Sequence, residues 1–322
     1  MRDFSMKIVV MDRSSVGDDT CVDGFYRFGE VEQHYSTPNE LVAERVKDAD
    51  IIVNNKNLLN EASLKDAQNV KLICQLATGY DNVDVEYCKK RGIKVANVRN
   101  YSTAAVVQHT IALALSVLEN LPYYDEYVKS GTYASQPRFS HYGSLFYDLE
   151  GKTWGIIGMG NIGRGVAKVA EALGCKVIFY SASGNSTCTD YERVEFDELL
   201  ARADVLSLHC PLSERTKHII NADALHKMKK EAILVNVARG AVVDTKALSD
   251  ALLEGQIRGA GLDVFEKEPM VPDDSLLAVK DTGRLQMTPH MAWASIEARQ
   301  RCVDETCLNI EAFLQGKERN LV

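Results

Sequence analysis

A chain of 322 residues is long enough to bury two hydrophobic cores, and its 46% hydrophobic and 25% charged content excludes disordered, fibrous and membrane-embedded classes. The 37 basic residues against 45 acidic ones leave a net charge of −8, with no clustered Lys and Arg of the kind that grips backbone phosphates, so no nucleic-acid partner is expected. Eight scattered cysteines without a CxxC pair read as small core hydrophobes, with neither a disulfide framework nor a metal site.

Residues 1–6 carry no signal-peptide pattern, and no uncharged apolar stretch of about 18 residues follows. A cytoplasmic protein with no membrane partner is expected. The runs Lys7–Met11, Asp50–Asn54, Lys71–Ala77 and Lys94–Val98, rich in Ile, Val and Leu, read as buried parallel strands separated by helices. From Ser102 to about Glu119 a long helix is apolar on nearly all faces, so it must be buried, either between domains or against a second subunit. Ser130–Tyr147, rich in Gly, Ser, Tyr and Phe and without periodicity, reads as a loop.

A second α/β series begins at Thr153. Strand candidates are Thr153–Ile157, Lys176–Tyr180, Val205–His209, Ala232–Val237, Gly259–Val264 and Leu285–Thr288. Six strands with crossover helices is the count of a doubly wound nucleotide-binding domain. A last helix, about Ser295 to Leu314, ends before Gly316, and Arg299 and Arg301 on it are expected to face solvent.

Gly158-Met159-Gly160-Asn161-Ile162-Gly163 follows the first strand of this series and opens an amphipathic helix. The first glycine suits a tight turn, the second lets backbone approach a pyrophosphate, and the third permits close helix–strand packing. The helix N-terminus supplies N–H groups and a positive dipole end. Together these point to a dinucleotide. The acidic residue that grips an adenosine ribose is absent from Tyr180-Ser181-Ala182-Ser183-Gly184-Asn185, yet no Arg or Lys occurs from Ser181 to Tyr191. NAD is therefore expected, with NADP possible and Ser181 offering a neutral hydrogen bond.

Ligands of open parallel sheets bind beyond the carboxyl ends of strands. Three polar groups stand there: Arg239 after Ile233–Val237, Asp263 with Glu268 five residues on, and His290 after Thr288-Pro289. A guanidinium grips a carboxylate bidentately and polarises an adjacent keto oxygen, while a histidine oriented by a carboxylate exchanges a proton near neutral pH. His209, before Cys210-Pro211, reads as a wall beside the cofactor, and His109 on the long helix as packing.

Five ordered segments, Leu76–Asp84, Gly151–Gly163, Asn236–Gly240, Gly261–Phe265 with Glu268-Pro269, and Thr288–His290, resemble the D-isomer-specific 2-hydroxyacid dehydrogenase family along essentially the whole chain. Val53–Lys56, Ala77–Tyr80, Tyr101–Thr103 and Gln108-His109 are most similar to its glycerate dehydrogenase (hydroxypyruvate reductase) branch. The resemblance implies an α/β protein in which a Rossmann-type doubly wound sheet, residues 102–292, is inserted into a flavodoxin-like substrate domain, residues 1–101 and 293–322. It further implies an active site between the domains and a homodimer.

Carried over residue by residue, the resemblance makes His290 the proton donor, Glu268 its partner and Arg239 the anchor of a small 2-keto or 2-hydroxy acid. Asp263 would hold the nicotinamide carboxamide, Val237, Ala238 and Pro211 would line the cofactor, and Ala77, Thr78 and Gly79 would offer N–H groups to the substrate carboxylate. Formate dehydrogenases share this architecture but carry glutamine where Glu268 stands, which argues against them. A dinucleotide-sensing corepressor and a reductase of larger branched or aromatic keto acids are the alternative readings.

Overall fold

The protein is described here by a computed structural model covering residues 6–280 and 283–322, so the reading of residues 1–5 lies outside the described residues. The chain forms two units, Met1–Ser102 with Trp293–Val322, and Thr103–Ala292, the second inserted into the first. Among the described residues no single helix is long and apolar enough to cross a membrane.

The first unit holds strands β1 (Met6–Val10), β2 (Gly29–Gln33), β3 (Ile51–Asn54), β4 (Leu72–Gln75) and β5 (Lys94–Ala96). They make one all-parallel sheet of order β2-β1-β3-β4-β5, the flavodoxin-like arrangement. Every residue of β3 and β4 is buried, because helices cover both faces. β2 lies outside the strands expected from sequence: it is an edge strand, Gly-Glu-Val-Glu-Gln, and lacks an apolar run.

The chain's end returns to this unit. The Ile296–Leu314 helix is capped by the Ser295 hydroxyl, which accepts from Ala298 N at 3.2 Å, and Leu321 forms an antiparallel bridge to Ala96 beside β5. Arg299 is not solvent-facing. Its guanidinium, 13% exposed, pairs with Asp19 and donates to the Val16 carbonyl at 2.7 Å, while Arg301 Nε donates to the Tyr101 carbonyl at 2.9 Å. Long basic side chains on a half-buried helix find carbonyls at its margin, which periodicity alone does not reveal.

The second unit holds β6 (Thr153–Ile157), β7 (Lys176–Tyr180), β8 (Glu192–Arg193), β9 (Val205–Leu208), β10 (Ile233–Asn236), β11 (Gly259–Leu262) and β12 (Leu285–Met287). All pairs are parallel, in the order β12-β11-β10-β9-β6-β7-β8. This is a doubly wound sheet whose strand order reverses between β6 and β9. It has seven strands rather than six, since the charged two-residue edge strand β8 leaves no apolar signature. Successive residues alternate between two cores: Ile156, Val205, Ile233 and Val235 face one, and Ile157, Leu206 and Leu234 the other. Each such side chain contributes about 1.5–3 kcal/mol by leaving water.

The Thr103–Glu119 helix belongs to this unit. It lies against β10 and β11 and beside the Asn161–Ala172 helix, burying Val106, Thr110, Leu113, Ala114, Val117 and Leu118. Small residues permit the approach: a Cβ added to Gly261 would stand 3.0 Å from Leu113 Cβ, and one on Gly165 2.6 Å from Val107 Cγ2. The sheet of its own unit thus accounts for its apolar character. Within 130–147 the structure adds one short helix, Thr132–Ser135.

Candidate active site

Register in the second unit brings the candidate side chains to one edge. Ile157 pairs with Leu208, Leu208 with Asn236, Asn236 with Leu262 and Leu262 with Met287, so the five-strand row ends in line. The residues that follow, Gly158, His209, Val237–Arg239, Asp263 and Thr288–His290, all leave from the same carboxyl edge, beside the β6/β9 reversal.

The glycine loop meets its expected tasks one by one. Gly158 has φ +96°, and a Cβ there would stand 2.7 Å from Cys210 N and from the His209 carbonyl carbon. Gly163 packs so closely that its Cβ would be 2.2 Å from the Gly158 carbonyl oxygen. Beside Gly160 nothing lies within 4 Å, so the space above the N-terminus of the Asn161–Ala172 helix is open where a pyrophosphate would sit. Asn161 is exposed and Ile162 half-buried at this opening.

Ser181 follows β7 directly. Its side chain is buried, and Oγ accepts from Ser186 N at 3.3 Å, bracing the turn that follows β7. Ser183 and Asn185 are the exposed polar groups of that turn.

His209 Nε2 lies 3.0 Å from Ser207 Oγ, which also accepts from Trp154 Nε1 at 2.9 Å. Its Nδ1 is buried with no partner among the described residues. Burial pushes the imidazole pKa down to about 3, so the ring is neutral throughout the physiological range. Pro211 is exposed just beyond, and its carbonyl accepts from Thr216 Oγ1 at 2.7 Å.

A stability consequence follows. The unfolded chain protonates His209 near its ordinary 6.5, the folded chain only near 3, so between these values the unfolded state takes a proton that the native state refuses. Stability therefore falls as pH drops through this window, by up to about 1.4 kcal/mol per pH unit from this group. Urea midpoints at pH 7 and pH 4.5 measure it: the acid loss is expected to be smaller in His209→Gln than in the wild type. Equal losses would contradict the assignment.

Arg239 is held by the strand end itself. The buried Asn236 side chain donates Nδ2 to the Arg239 carbonyl at 2.9 Å and accepts from Ala238 N at 3.0 Å, while Arg239 Nη1 donates to the Ala238 carbonyl at 2.8 Å. Val237 and Ala238 are half-buried along the edge. Asn236 is a contributor that sequence reading passed over; its signal is a polar residue closing an otherwise apolar strand.

Glu268 and His290 meet directly. His290 Nδ1 and Glu268 Oε2 are 2.6 Å apart, and Phe265 N donates to Glu268 Oε1 at 3.0 Å, so each carboxylate oxygen has a separate task. His290 sits at φ +54°, a left-handed conformation costing of order 1 kcal/mol for a non-glycine residue. Its N–H donates to the Asp263 carbonyl at 2.8 Å, which holds it there.

Asp263 is placed otherwise than the resemblance implies. Its carboxylate is buried, Oδ1 accepting from Thr288 Oγ1 at 2.6 Å and Met291 N at 2.8 Å, and Oδ2 from Ala292 N at 2.8 Å. It ties the His290 turn together instead of presenting a carboxylate at the open edge. His109 is likewise not mere packing, since its Nε2 lies 2.9 Å from Thr288 Oγ1.

Ala77, Thr78 and Gly79 follow β4 at the carboxyl edge of the first unit. Val98 N donates to the Ala77 carbonyl at 3.0 Å, Thr78 Oγ1 to the Val98 carbonyl at 2.9 Å, and Asn97 Nδ2 to the Thr78 carbonyl at 2.7 Å. The Thr78 and Gly79 N–H groups have no partner among the described residues.

The sequence profile of the D-isomer specific 2-hydroxyacid dehydrogenase NAD binding domain matches residues 111–292, the stretch that carries this edge. The chain belongs to the D-isomer-specific 2-hydroxyacid dehydrogenase family. It is an NAD-dependent oxidoreductase of this family. It is 40% identical to the glycerate dehydrogenase of Methylorubrum extorquens, over 99% of each chain, and 38% identical to the hydroxypyruvate reductase of Blautia hydrogenotrophica, over 98% of this chain and 99% of that one. Among solved structures it resembles the Aquifex aeolicus D-lactate dehydrogenase complexed with NAD and lactic acid, with TM-score 0.84, 30% identity and 96% of each chain covered. The family's dinucleotide fits the loop, whose open space at Gly160 and tight contacts at Gly158 and Gly163 match the three glycine tasks.

Proposed function

We propose that this dehydrogenase reduces a small 2-keto acid, hydroxypyruvate or glyoxylate, to the D-2-hydroxy acid, with Arg239, Glu268 and His290 carrying the chemistry. The observation that carries the residue roles is the 2.6 Å His290–Glu268 pair, at the same sheet edge as Arg239 and the glycine loop. The substrate class is supported by the names of the two relatives above.

Bound nicotinamide supplies the hydride. Arg239 grips the substrate carboxylate and polarises the keto oxygen, since a planar guanidinium serves both at once. Glu268 accepts from Nδ1 and so sets the tautomer and ring orientation of His290. We assign His290 Nε2 to the substrate oxygen, to which it gives a proton in the reducing direction. The Thr78 and Gly79 N–H groups, with Ala77 shaping the turn, suit by their own geometry an anionic acceptor such as a carboxylate oxygen. NAD is the preferred cofactor over NADP, since residues 181–191 offer no cation for a 2′-phosphate.

Turnover of hydroxypyruvate, glyoxylate, pyruvate and 2-ketoisocaproate with NADH and NADPH tests the reading. The highest kcat/KM is expected for hydroxypyruvate or glyoxylate with NADH, and a preference for the branched acid would overturn the substrate assignment.

We also place the protein in the cytoplasm, with seven of its eight free cysteines buried, and as a homodimer. Supporting the dimer is an apolar arm in which Phe139 is 90% exposed, Tyr142 77% and Leu145 70%. Sedimentation equilibrium is expected to give twice the chain mass, and a single-chain mass for Phe139→Ser with Leu145→Ser. A monomeric wild type would contradict it.

A further inference from the structure

His109 and His290 are 181 positions apart in sequence, yet a short chain of hydrogen bonds links them within the second unit. The Asp263 carboxylate can only accept, and at 2.6 Å it takes the single proton of the Thr288 hydroxyl. The Thr288 oxygen must then be the acceptor at its 2.9 Å contact with His109, so His109 Nε2 carries the hydrogen. The same nitrogen lies 3.6 Å from Asp263 Oδ1.

Asp263 in turn grips both flanks of His290, through Thr288 on one side and the Met291 and Ala292 N–H groups on the other, while its carbonyl takes the His290 N–H. A buried carboxylate holds one orientation only while its donors stay in place. One of those donors, the Thr288 hydroxyl, is itself held from outside the turn, by His109 Nε2. The missing side chain at Gly261 lets its helix approach, at Leu113, one turn along from His109.

We propose that His109 is a positioning residue for the reaction: its Nε2–H fixes the Thr288 hydroxyl toward Asp263 and so keeps His290 in its left-handed, Glu268-paired geometry. This rests on the reading of His290 as proton donor. A His290 displaced by even about 1 Å loses rate far more than binding, because proton transfer demands alignment that ground-state contacts do not.

The test compares full-length His109→Leu, His109→Gln, Thr288→Val and His290→Ala in hydroxypyruvate or glyoxylate reduction, with NADH dissociation constants and melting temperatures alongside. His109→Leu is expected to lower kcat by about ten- to a hundredfold, with keto-acid KM and NADH affinity within about twofold of wild type. His109→Gln, whose amide N–H reaches the same oxygen, is expected to restore most of the rate. Should His109→Leu fold poorly, Thr288→Val removes the same bonds without touching the helix and is expected to reproduce the kcat loss.

Wild-type kcat in both His109→Leu and Thr288→Val, or a loss that glutamine does not recover, overturns the proposal. If His290→Ala is itself fully active, the acid–base reading has failed. If His290→Ala is inactive while His109→Leu and Thr288→Val are not, only the positioning role has.

Discussion

His290→Ala is expected to lower kcat for keto-acid reduction by about 10²- to 10⁴-fold, the usual contribution of a general acid, while the NADH dissociation constant stays within about twofold. The separation follows from the geometry. The ring reaches Glu268 through Nδ1, whereas the backbone bond that places residue 290, N–H to the Asp263 carbonyl at 2.8 Å, survives the substitution. The glycine loop belongs to β6 and the helix after it and is untouched. Stopped-flow reduction with NADH in excess, together with fluorescence titration of the cofactor, reads both quantities. A variant with near-wild-type kcat at neutral pH would remove His290 from the chemistry.

Gly240→Ala is expected to be equally damaging from outside the reacting groups. A Cβ at Gly240 would stand 1.8 Å from the Phe265 carbonyl carbon, 1.9 Å from its oxygen and 2.3 Å from Glu266 N. These are backbone atoms, so no rotamer change relieves the clash. The segment carrying Arg239 must separate from the one carrying Glu268. That separation is resisted by a clamp: His218 N donates to the Ala241 carbonyl at 2.8 Å while His218 Nε2 lies 2.5 Å from Glu266 Oε1. The single added methyl therefore strains both segments, costing about 1–3 kcal/mol in stability. The accompanying misplacement is expected to lower kcat/KM about 10²-fold. Thermal melting and steady-state rates check this, and an alanine variant matching wild type in both would show that the two segments need not touch.

What sequence revealed and what it hid divide along physical lines. Strands β3, β4, β6, β9 and β10 are covered on both faces, so they read as apolar runs. Edge strands β2 and β8 lie where one side stays wet, and Glu30, Glu32 and Glu192 erase the pattern. The glycine loop was legible because its three glycines answer to backbone constraints that only glycine meets. Arg239, Glu268 and His290 were legible as polar residues stranded past strand ends.

The rest depended on contacts distant in sequence. Thr288 meets His109 across 179 positions, and Arg299 pairs with Asp19 across 280. Periodicity describes a helix face and cannot name the partner opposite it. The partner of Ser181 was hidden for a local reason: the chain turns back at once after β7, and Ser186 N donates to the hydroxyl.

The central claim is tested most directly by the product. Purified protein given hydroxypyruvate and NADH is expected to oxidise one NADH for each molecule of D-glycerate formed, followed by absorbance and chiral chromatography. Formation of L-glycerate, or no NADH oxidation with either hydroxypyruvate or glyoxylate, would contradict the account.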